Sequence, residues 1–222
     1  AFLARELARD GYAVGIHHRG GKAHADRLVR LIRKEGGVAE LFHGDLAVPG
    51  RVDSVFRNVR TRFGRLDVLI NNAGTYRPVP LLRGRAEDWR TGLESTATTT
   101  FLAIRAALPL FPKTGGRIIN LGDSACEKLT ARKMAPGYHV GKVGVLLLTR
   151  SFAAQLSRRK ITVNAVSPGY LENSIDLPPA RLLPAHRPVR FSEVASAIRY
   201  LLSPEADQVT GSNLIISGGW NL

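Results

Sequence analysis

A tyrosine and a lysine four positions apart form a pair that could move a proton. Tyr138 and Lys142 lie in the segment YHVGK, and residues i and i+4 share one face of a helix. An ammonium group beside a phenol favours the phenolate, so it brings the pKa of the phenol closer to neutrality. Such a pair can give a proton to an oxygen or nitrogen atom while hydride reaches the adjacent carbon.

Two more polar side chains, Asp123 and Ser124, follow the apolar segment RIINLG upstream of the tyrosine. Either could orient a substrate beside Tyr138. A carboxylic acid whose pKa is raised by burial can donate a hydrogen bond, and a hydroxyl can do so directly. We favour Asp123 and keep Ser124 as the alternative, in which case Asp123 would only cap the local turn.

Short β-branched runs alternate with longer segments of helical periodicity along the whole chain. This alternation predicts an α/β fold with a parallel, doubly wound sheet of Rossmann type in a single domain, residues 1–222. The predicted strands are 12–18, 38–46, 66–74, 116–122, 161–169 and 212–219, and the predicted helices are 22–37, 50–64, 86–111, 136–160 and 191–203. Segment 170–190, rich in proline, is predicted to be a substrate loop.

The sequence opens inside a helix, AFLARELARDG, with no strand or glycine-rich turn ahead of it. A doubly wound sheet normally begins with a central strand and a phosphate-binding turn. We therefore expect the first strand and its glycine-rich loop to be missing from this sequence, and the strands on either side to face a gap.

Composition narrows the classes of function. The chain has 222 residues, 44% of them hydrophobic, and a formal net charge of +14. Its arginines are scattered rather than clustered with aromatic residues, so we expect a basic surface and a small-molecule substrate, not nucleic acid. No apolar run is long enough to cross a membrane. The lone Cys126 suits a reducing cytoplasm, and no His or Cys spacing predicts a metal site.

Five segments in order resemble the short-chain dehydrogenase/reductase family: GDL (44–46), NNAG (71–74), YHVGK (138–142), VNAVSPG (163–169) and VTGSNLIISGGW (209–220). The resemblance covers essentially the whole chain. It implies that Tyr138 is the general acid, and that Lys142 holds the nicotinamide ribose and lowers the tyrosine pKa. It also implies a homodimer or homotetramer.

The resemblance implies a cofactor site spread over the strand ends. Asn71, Ala73 and Gly74 would line the adenosine ribose, and Asp45 with Leu46 would lie beside the adenine. Pro168 and Gly169 would border the nicotinamide, and the backbone of Leu171 would bind its carboxamide.

The end of the first visible strand, HHRGGK, predicts NADP rather than NAD. NAD sites usually carry an acidic residue here for the ribose 2′-hydroxyl, whereas an arginine accommodates the 2′-phosphate of NADP. This segment has no carboxylate but offers His18 and Arg19, and a guanidinium can grip phosphate with two hydrogen bonds.

Two departures from the family pattern bear on the substrate. Asp123 stands where most members have serine, which resembles the pteridine reductase and dihydromonapterin reductase subset, and the HHRG segment after the first visible strand resembles the same subset. Thr96 stands where members commonly have asparagine. A pteridine would also want an aromatic lid, for which Tyr76, Tyr170 and Phe191 are candidates.

Three hypotheses about function follow. The first is an NADPH-dependent reductase of a carbonyl or a pteridine-type C=N group. The first alternative is a reductase of 3-oxoacyl thioesters on acyl carrier protein. The other, of a different class, is a non-catalytic nucleotide-binding regulatory protein.

Overall fold

The computed structural model describes residues 1–220. The helices are α1 (Phe2–Arg9), α2 (Lys22–Lys34), α3 (Pro49–Phe63), α4 (Ala86–Leu93), α5 (Thr99–Ala107), α6 (Pro136–Leu156) and α7 (Phe191–Leu202). The strands are β1 (Val14–His18), β2 (Ala39–His43), β3 (Val68–Asn71), β4 (Gly116–Leu121), β5 (Ile161–Pro168) and β6 (Asn213–Ile216). The predicted α/β fold of Rossmann type is confirmed, with element ends shifted by a few residues.

All strand pairs are parallel, and they form two sheets. β1 pairs with β2, whereas β3, β4, β5 and β6 follow one another in a four-stranded sheet. A cavity of about 640 Å³ lies along β1 and β3, lined mainly by apolar side chains of these strands and of the helices beside them. The predicted gap in the sheet is therefore present between β1 and β3.

The four-stranded sheet is covered on both faces, as its apolar strands predict. Neighbouring residues of a strand point to opposite faces, and Ile118 and Ile119 of β4 illustrate this. Both are fully buried. Ile118 packs in the cluster formed with α3, α5 and the end of α6, whereas Ile119 packs with Ile198 and Leu201 of α7. This two-sided burial holds the carboxyl ends of the strands in fixed positions.

The predicted helix 86–111 is interrupted by a turn of π-helix, Glu94–Thr98. Thr96 lies in this turn, and its hydroxyl donates hydrogen bonds to the carbonyl oxygens of Gly92 (2.6 Å) and Leu93 (3.3 Å). A threonine that bonds back to the preceding turn competes with the helical ladder. Turns of this kind recur at functional sites.

Within residues 1–220, no helix combines the length and the apolar character needed to cross a membrane.

Candidate active site

Helix α6 places a lysine inside the protein. Lys142 is 5% exposed, and its Nζ atom donates a hydrogen bond of 2.7 Å to the carbonyl oxygen of Leu121, at the end of β4. The same Nζ lies 5.6 Å from the centre of the Tyr138 ring. An ammonium group has three N–H donors, so two remain for a ligand. Burial lowers the pKa of Lys142 to about 8.

Tyr138 lies one turn earlier on α6, and its pKa differs from the sequence prediction. Burial raises the pKa of the phenol, and the negative charge of Asp123 raises it further. The predicted lowering by Lys142 is wrong for this state, because burial disfavours the phenolate and the nearby carboxylate repels it. Tyr138 is therefore fully protonated at neutral pH and able to act as an acid.

Of the two neighbours Asp123 and Ser124, it is Asp123 whose charge acts on Tyr138. Asp123 is half-buried at the end of β4, and its Oδ1 accepts a hydrogen bond of 2.9 Å from the backbone N–H of Ala125. Ser124 is 2% exposed, and its hydroxyl has no hydrogen-bond partner among residues 1–220. Asp123 thus caps the turn, as the alternative predicted, and its charge also acts on Tyr138, while its role toward a substrate stays a prediction.

Thr96, at the position where asparagine was expected, packs directly against α6. It is fully buried, and a Cβ atom added to Gly141 would lie 1.8 Å from its Oγ1. Glycine at 141, immediately before Lys142, is what lets the threonine fit. The two residues therefore form a matched pair behind the tyrosine and lysine.

The NNAG segment after β3 lies against the side chain of Lys142. A Cβ atom on Gly74 would lie 3.7 Å from the Nζ of Lys142, and residues 72–74 are exposed. Asn71 is half-buried, and its side-chain amide donates a hydrogen bond of 2.9 Å to Asn120 of β4. Asn71 therefore links the ends of β3 and β4, while Ala73 and Gly74 remain accessible to a ligand.

The predicted phosphate-binding residues lie at the ends of β1 and β2. The Arg19 side chain is 59% exposed, and its guanidinium is 3.9 Å from the carboxylate of Asp45. The rings of His18 and His43 stack with centres 4.9 Å apart. Leu46 instead packs against the core on the α3 and α5 side. Arg19 and His18 are open to an anion, whereas Leu46 is mainly structural.

The residues predicted to border the nicotinamide follow β5. The N–H of Gly169 donates to the carbonyl oxygen of Ile216 (2.9 Å), so the strand end is tied to β6. The N–H of Leu171 donates to the hydroxyl of Ser174 (2.9 Å), and its carbonyl oxygen accepts from the N–H of Ser174 (2.9 Å). The backbone of Leu171, which was predicted to bind the nicotinamide carboxamide, therefore forms its hydrogen bonds within its own loop.

Of the three candidate lid residues, only Tyr76 lies at the tyrosine. Its ring centre is 5.1 Å from that of Tyr138, and its hydroxyl lies 3.3 Å from a carboxylate oxygen of Asp176 in the predicted substrate loop. Tyr170 packs on Trp220, and Phe191 packs on Phe2.

Comparison with known proteins gives this geometry a context. A family model described as "Enoyl-(Acyl carrier protein) reductase" matches residues 1–221. The chain is 34% identical to a 3-oxoacyl-[acyl-carrier-protein] reductase of Synechocystis sp., over 97% of this chain and 90% of the relative.

Two solved structures have the same fold as this chain. One is a double mutant of a Serratia marcescens short-chain dehydrogenase/reductase, with a TM-score of 0.91, 28% identity, and coverage of 99% of this chain and 92% of that one. The chain belongs to the short-chain dehydrogenase/reductase family. The other is a gluconate 5-dehydrogenase from Burkholderia cenocepacia in complex with NADP and tartrate, with a TM-score of 0.88, 29% identity, and coverage of 98% and 88%.

Membership of this oxidoreductase family, with the tyrosine and lysine both in place, makes the protein an enzyme of the short-chain dehydrogenase/reductase type. The non-catalytic alternative is therefore set aside. Neither the Synechocystis nor the Burkholderia relative is a pteridine reductase, so the likeness to that subset rests on Asp123 and the HHRG segment alone.

Sequence reasoning missed several parts of this short-chain reductase site. The carbonyl oxygen of Leu121 accepts a hydrogen bond from Lys142, and the side-chain oxygen of Asn120 accepts one from Asn71. Neither acceptor belongs to the five segments that carry the family resemblance. Cys126 and His139 lie beside Asp123, and only the position of His139 next to Tyr138 could have drawn attention to it.

Proposed function

We propose that the protein is an NADPH-dependent reductase of 3-oxoacyl thioesters. The observation that carries the proposal is the half-buried, protonated Tyr138 beside Lys142 in a chain whose curated relative is a 3-oxoacyl-[acyl-carrier-protein] reductase. Tyr138 would then supply the proton, and NADPH the hydride, that the reduction of a ketone needs.

The described residues fit NADP. Arg19 is exposed at the end of β1 with His18 beside it, and phosphate is well matched by a guanidinium. Gly74 leaves room beside Lys142, whose two unused N–H groups suit ribose hydroxyls. NADP is also the cofactor held by the Burkholderia relative. Ala73, Asp45, Pro168 and Gly169 complete the proposed cofactor site.

NADPH, when bound, supplies the hydride. The phenol of Tyr138 donates its proton to the substrate oxygen, and the raised pKa ensures that the proton is present at neutral pH. Lys142, whose pKa is lowered to about 8, stabilises the phenolate left behind. Asp123 orients the substrate, and Tyr76 covers the ring of Tyr138.

A cavity of about 270 Å³ adjoins Tyr138 and suits a short acyl chain. Its walls include the apolar side chains of Val79, Leu81 and Trp89 and the cations Arg77 and Arg85. Apolar walls accept the acyl carbons, and Arg85 favours an anionic carrier group, since Arg77 is already paired with Asp88 of the same wall at 3.2 Å.

The test is an assay of NADPH oxidation with acetoacetyl thioester, with product identified as the 3-hydroxyacyl thioester. The proposal predicts one product per NADPH consumed and a preference for NADPH over NADH. Oxidation of NADPH without any hydroxyacyl product would contradict it.

A second candidate, reduction of a pteridine, rests on one observation: Asp123, not a serine, acts on Tyr138. A carboxylic acid can deliver a proton to a ring nitrogen. Dihydrobiopterin and dihydromonapterin belong in the same assay. If Asp123 serves a pteridine, Asp123→Ser will lose pterin reduction and keep thioester reduction.

We further propose a homodimer or homotetramer working in the cytoplasm. Exposed apolar side chains on α5 and α6, among them Phe101, Val140 and Leu147, suit a contact between subunits. Light scattering after gel filtration measures the assembly; a Leu147→Glu variant should shift it toward the monomer.

A further inference from the structure

Three side chains of the types that bind metals converge beside the tyrosine. Asp123, Cys126 and His139 each offer one ligand atom, and these three atoms lie within 4.8 Å of one another. Cys126 is buried, whereas the other two are half-buried. The proposed reduction uses neither the thiol nor the imidazole.

Local structure brings the three together. Asp123 caps the 3₁₀ turn Ser124–Cys126, and the N–H of Cys126 donates to the carbonyl oxygen of Asp123 (2.9 Å). Side chains three residues apart eclipse one another in such a turn. His139 lies in the first turn of α6, next to Tyr138. The cluster therefore joins the end of β4 to the start of α6.

The distances suit a tetrahedral metal ion. The Sγ of Cys126 is 3.6 Å from the Nδ1 of His139. With metal–sulfur and metal–nitrogen bonds of about 2.3 and 2.0 Å, the sulfur–nitrogen edge of a tetrahedron is roughly 3.5 Å. The carboxylate oxygen lies within 4.8 Å of both atoms, so a shift on the order of 1 Å brings it to the same edge length. Sulfur, nitrogen and oxygen together select zinc-type ions over magnesium or calcium.

Positive charge beside the cluster makes the site reversible rather than permanently filled. Arg132 and Lys142 both act on the Cys126 thiol, and such charges oppose a dication. A metal must also displace the thiol proton, because cysteine binds a metal as the thiolate.

We propose that Asp123, Cys126 and His139 bind a zinc-type divalent cation reversibly, and that the bound cation inhibits the reductase. Binding releases the thiol proton to solvent, and sulfur, nitrogen and carboxylate oxygen become ligands. The carboxylate then turns from Tyr138 toward the metal, and substrate orientation is lost. The inhibitory half rests on the proposed function, whereas the binding half does not.

Cobalt(II) tests binding without any assay of activity. Cys126 is the single cysteine of the chain, so a thiolate-to-cobalt charge-transfer band can come from this side chain alone. We expect the band in the wild-type protein, its bleaching by excess Zn²⁺, and its persistence in excess Mg²⁺. Absence of the band in folded wild-type protein would overturn the proposal.

Variants assign the band to the cluster. Cys126→Ser should abolish it, and His139→Gln should weaken cobalt binding by more than the roughly 10- to 100-fold that follows loss of a group supporting a ligand. His24→Asn, which changes an exposed imidazole on α2, serves as the matched control and should leave the band unchanged. Undiminished cobalt binding by His139→Gln would show a lone thiol rather than a site, and would overturn the proposal.

Inhibition is measured by titrating Zn²⁺ into the NADPH-dependent assay. We expect wild-type activity to fall, and Cys126→Ser and His139→Gln to keep their activity at the same Zn²⁺ concentration. Equal inhibition of all three would overturn the inhibitory role. If the protein proves inactive on every substrate, the proposed function fails, yet the cobalt band still decides whether the site exists.

Discussion

The two ends of the proposed cofactor cleft are built in opposite ways. In the proton-transfer region, Lys142 and the Thr96–Gly141 pair are buried and tightly packed, whereas Tyr138 and Asp123 are half-buried. The phosphate region, formed by His18 and Arg19 with Asp45, is open, and its one ion pair is 3.9 Å long.

This contrast has a physical reason. Moving a proton needs shifted pKa values, and burial supplies them for Tyr138 and Lys142. Holding a phosphate needs charge and access, and a mobile exposed arginine supplies both. Mutations should therefore separate catalysis from binding along this cleft.

Tyr138→Phe should lower kcat by roughly 10²- to 10⁴-fold, the usual contribution of a general acid. NADPH affinity should be nearly unchanged, because the phosphate region is intact. Steady-state kinetics and fluorescence titration with NADPH measure the two quantities. Unchanged turnover would remove Tyr138 from the mechanism.

Lys142→Met should alter how stability depends on pH. The folded-state pKa of Lys142 is about 8, below its ordinary value of 10.5. Between these values the unfolded chain binds the proton and the native state does not, so stability of the wild type rises with pH. Below pH 8 the buried charge costs the native state on the order of 3 kcal/mol.

Denaturant unfolding of the cofactor-free protein from pH 7 to 10 measures this effect. The wild type should gain stability relative to Lys142→Met as pH rises through 8. A constant difference between the two would mean that the buried amine titrates normally.

Gly141→Ala should destabilise the fold by about 1–3 kcal/mol through overpacking against Thr96. The added methyl would meet the hydroxyl of Thr96, and this outweighs the gain in helix propensity of up to about 1 kcal/mol. Chemical denaturation measures the change.

A double-mutant cycle isolates that contact. In a Thr96→Ala background the same substitution should cost clearly less. Gly50→Ala is the matched control, since Gly50 lies in the first turn of α3 with nothing within 4 Å of the added Cβ. An equal cost in both backgrounds would mean that the Thr96 hydroxyl is not what excludes a side chain.

Arg19→Ala should weaken NADPH binding on the order of tenfold, since charge-assisted hydrogen bonds to phosphate are worth about 1.5–3 kcal/mol and exposure reduces this. Binding of NADH, which lacks the 2′-phosphate, should change little. Arg30→Ala, an exposed arginine on α2, is the control. An equal loss for both cofactors would argue against a phosphate contact.

Sequence reasoning succeeded where periodicity and motif order carry the information. The element order and the parallel sheet follow from the alternation of apolar runs with segments of helical periodicity. It failed where the outcome depends on burial. The pKa of Tyr138 rises because of burial and because of the charge of Asp123, and the spacing of residues along one helix reveals neither. Helical periodicity also missed the π turn at Glu94–Thr98, where the hydroxyl of Thr96 bonds back to the carbonyl oxygen of Gly92.

Single-turnover reduction of acetoacetyl thioester at saturating NADPH, with Tyr138→Phe and Arg19→Ala side by side, decides whether the two regions act separately. We predict that Tyr138→Phe loses the chemical step while its NADPH affinity is kept. We predict that Arg19→Ala keeps the wild-type rate of the chemical step once the weaker binding has been saturated. If Tyr138→Phe turned over at the wild-type rate, or Arg19→Ala lost the chemical step at saturation, the separation of proton transfer from phosphate binding would be contradicted.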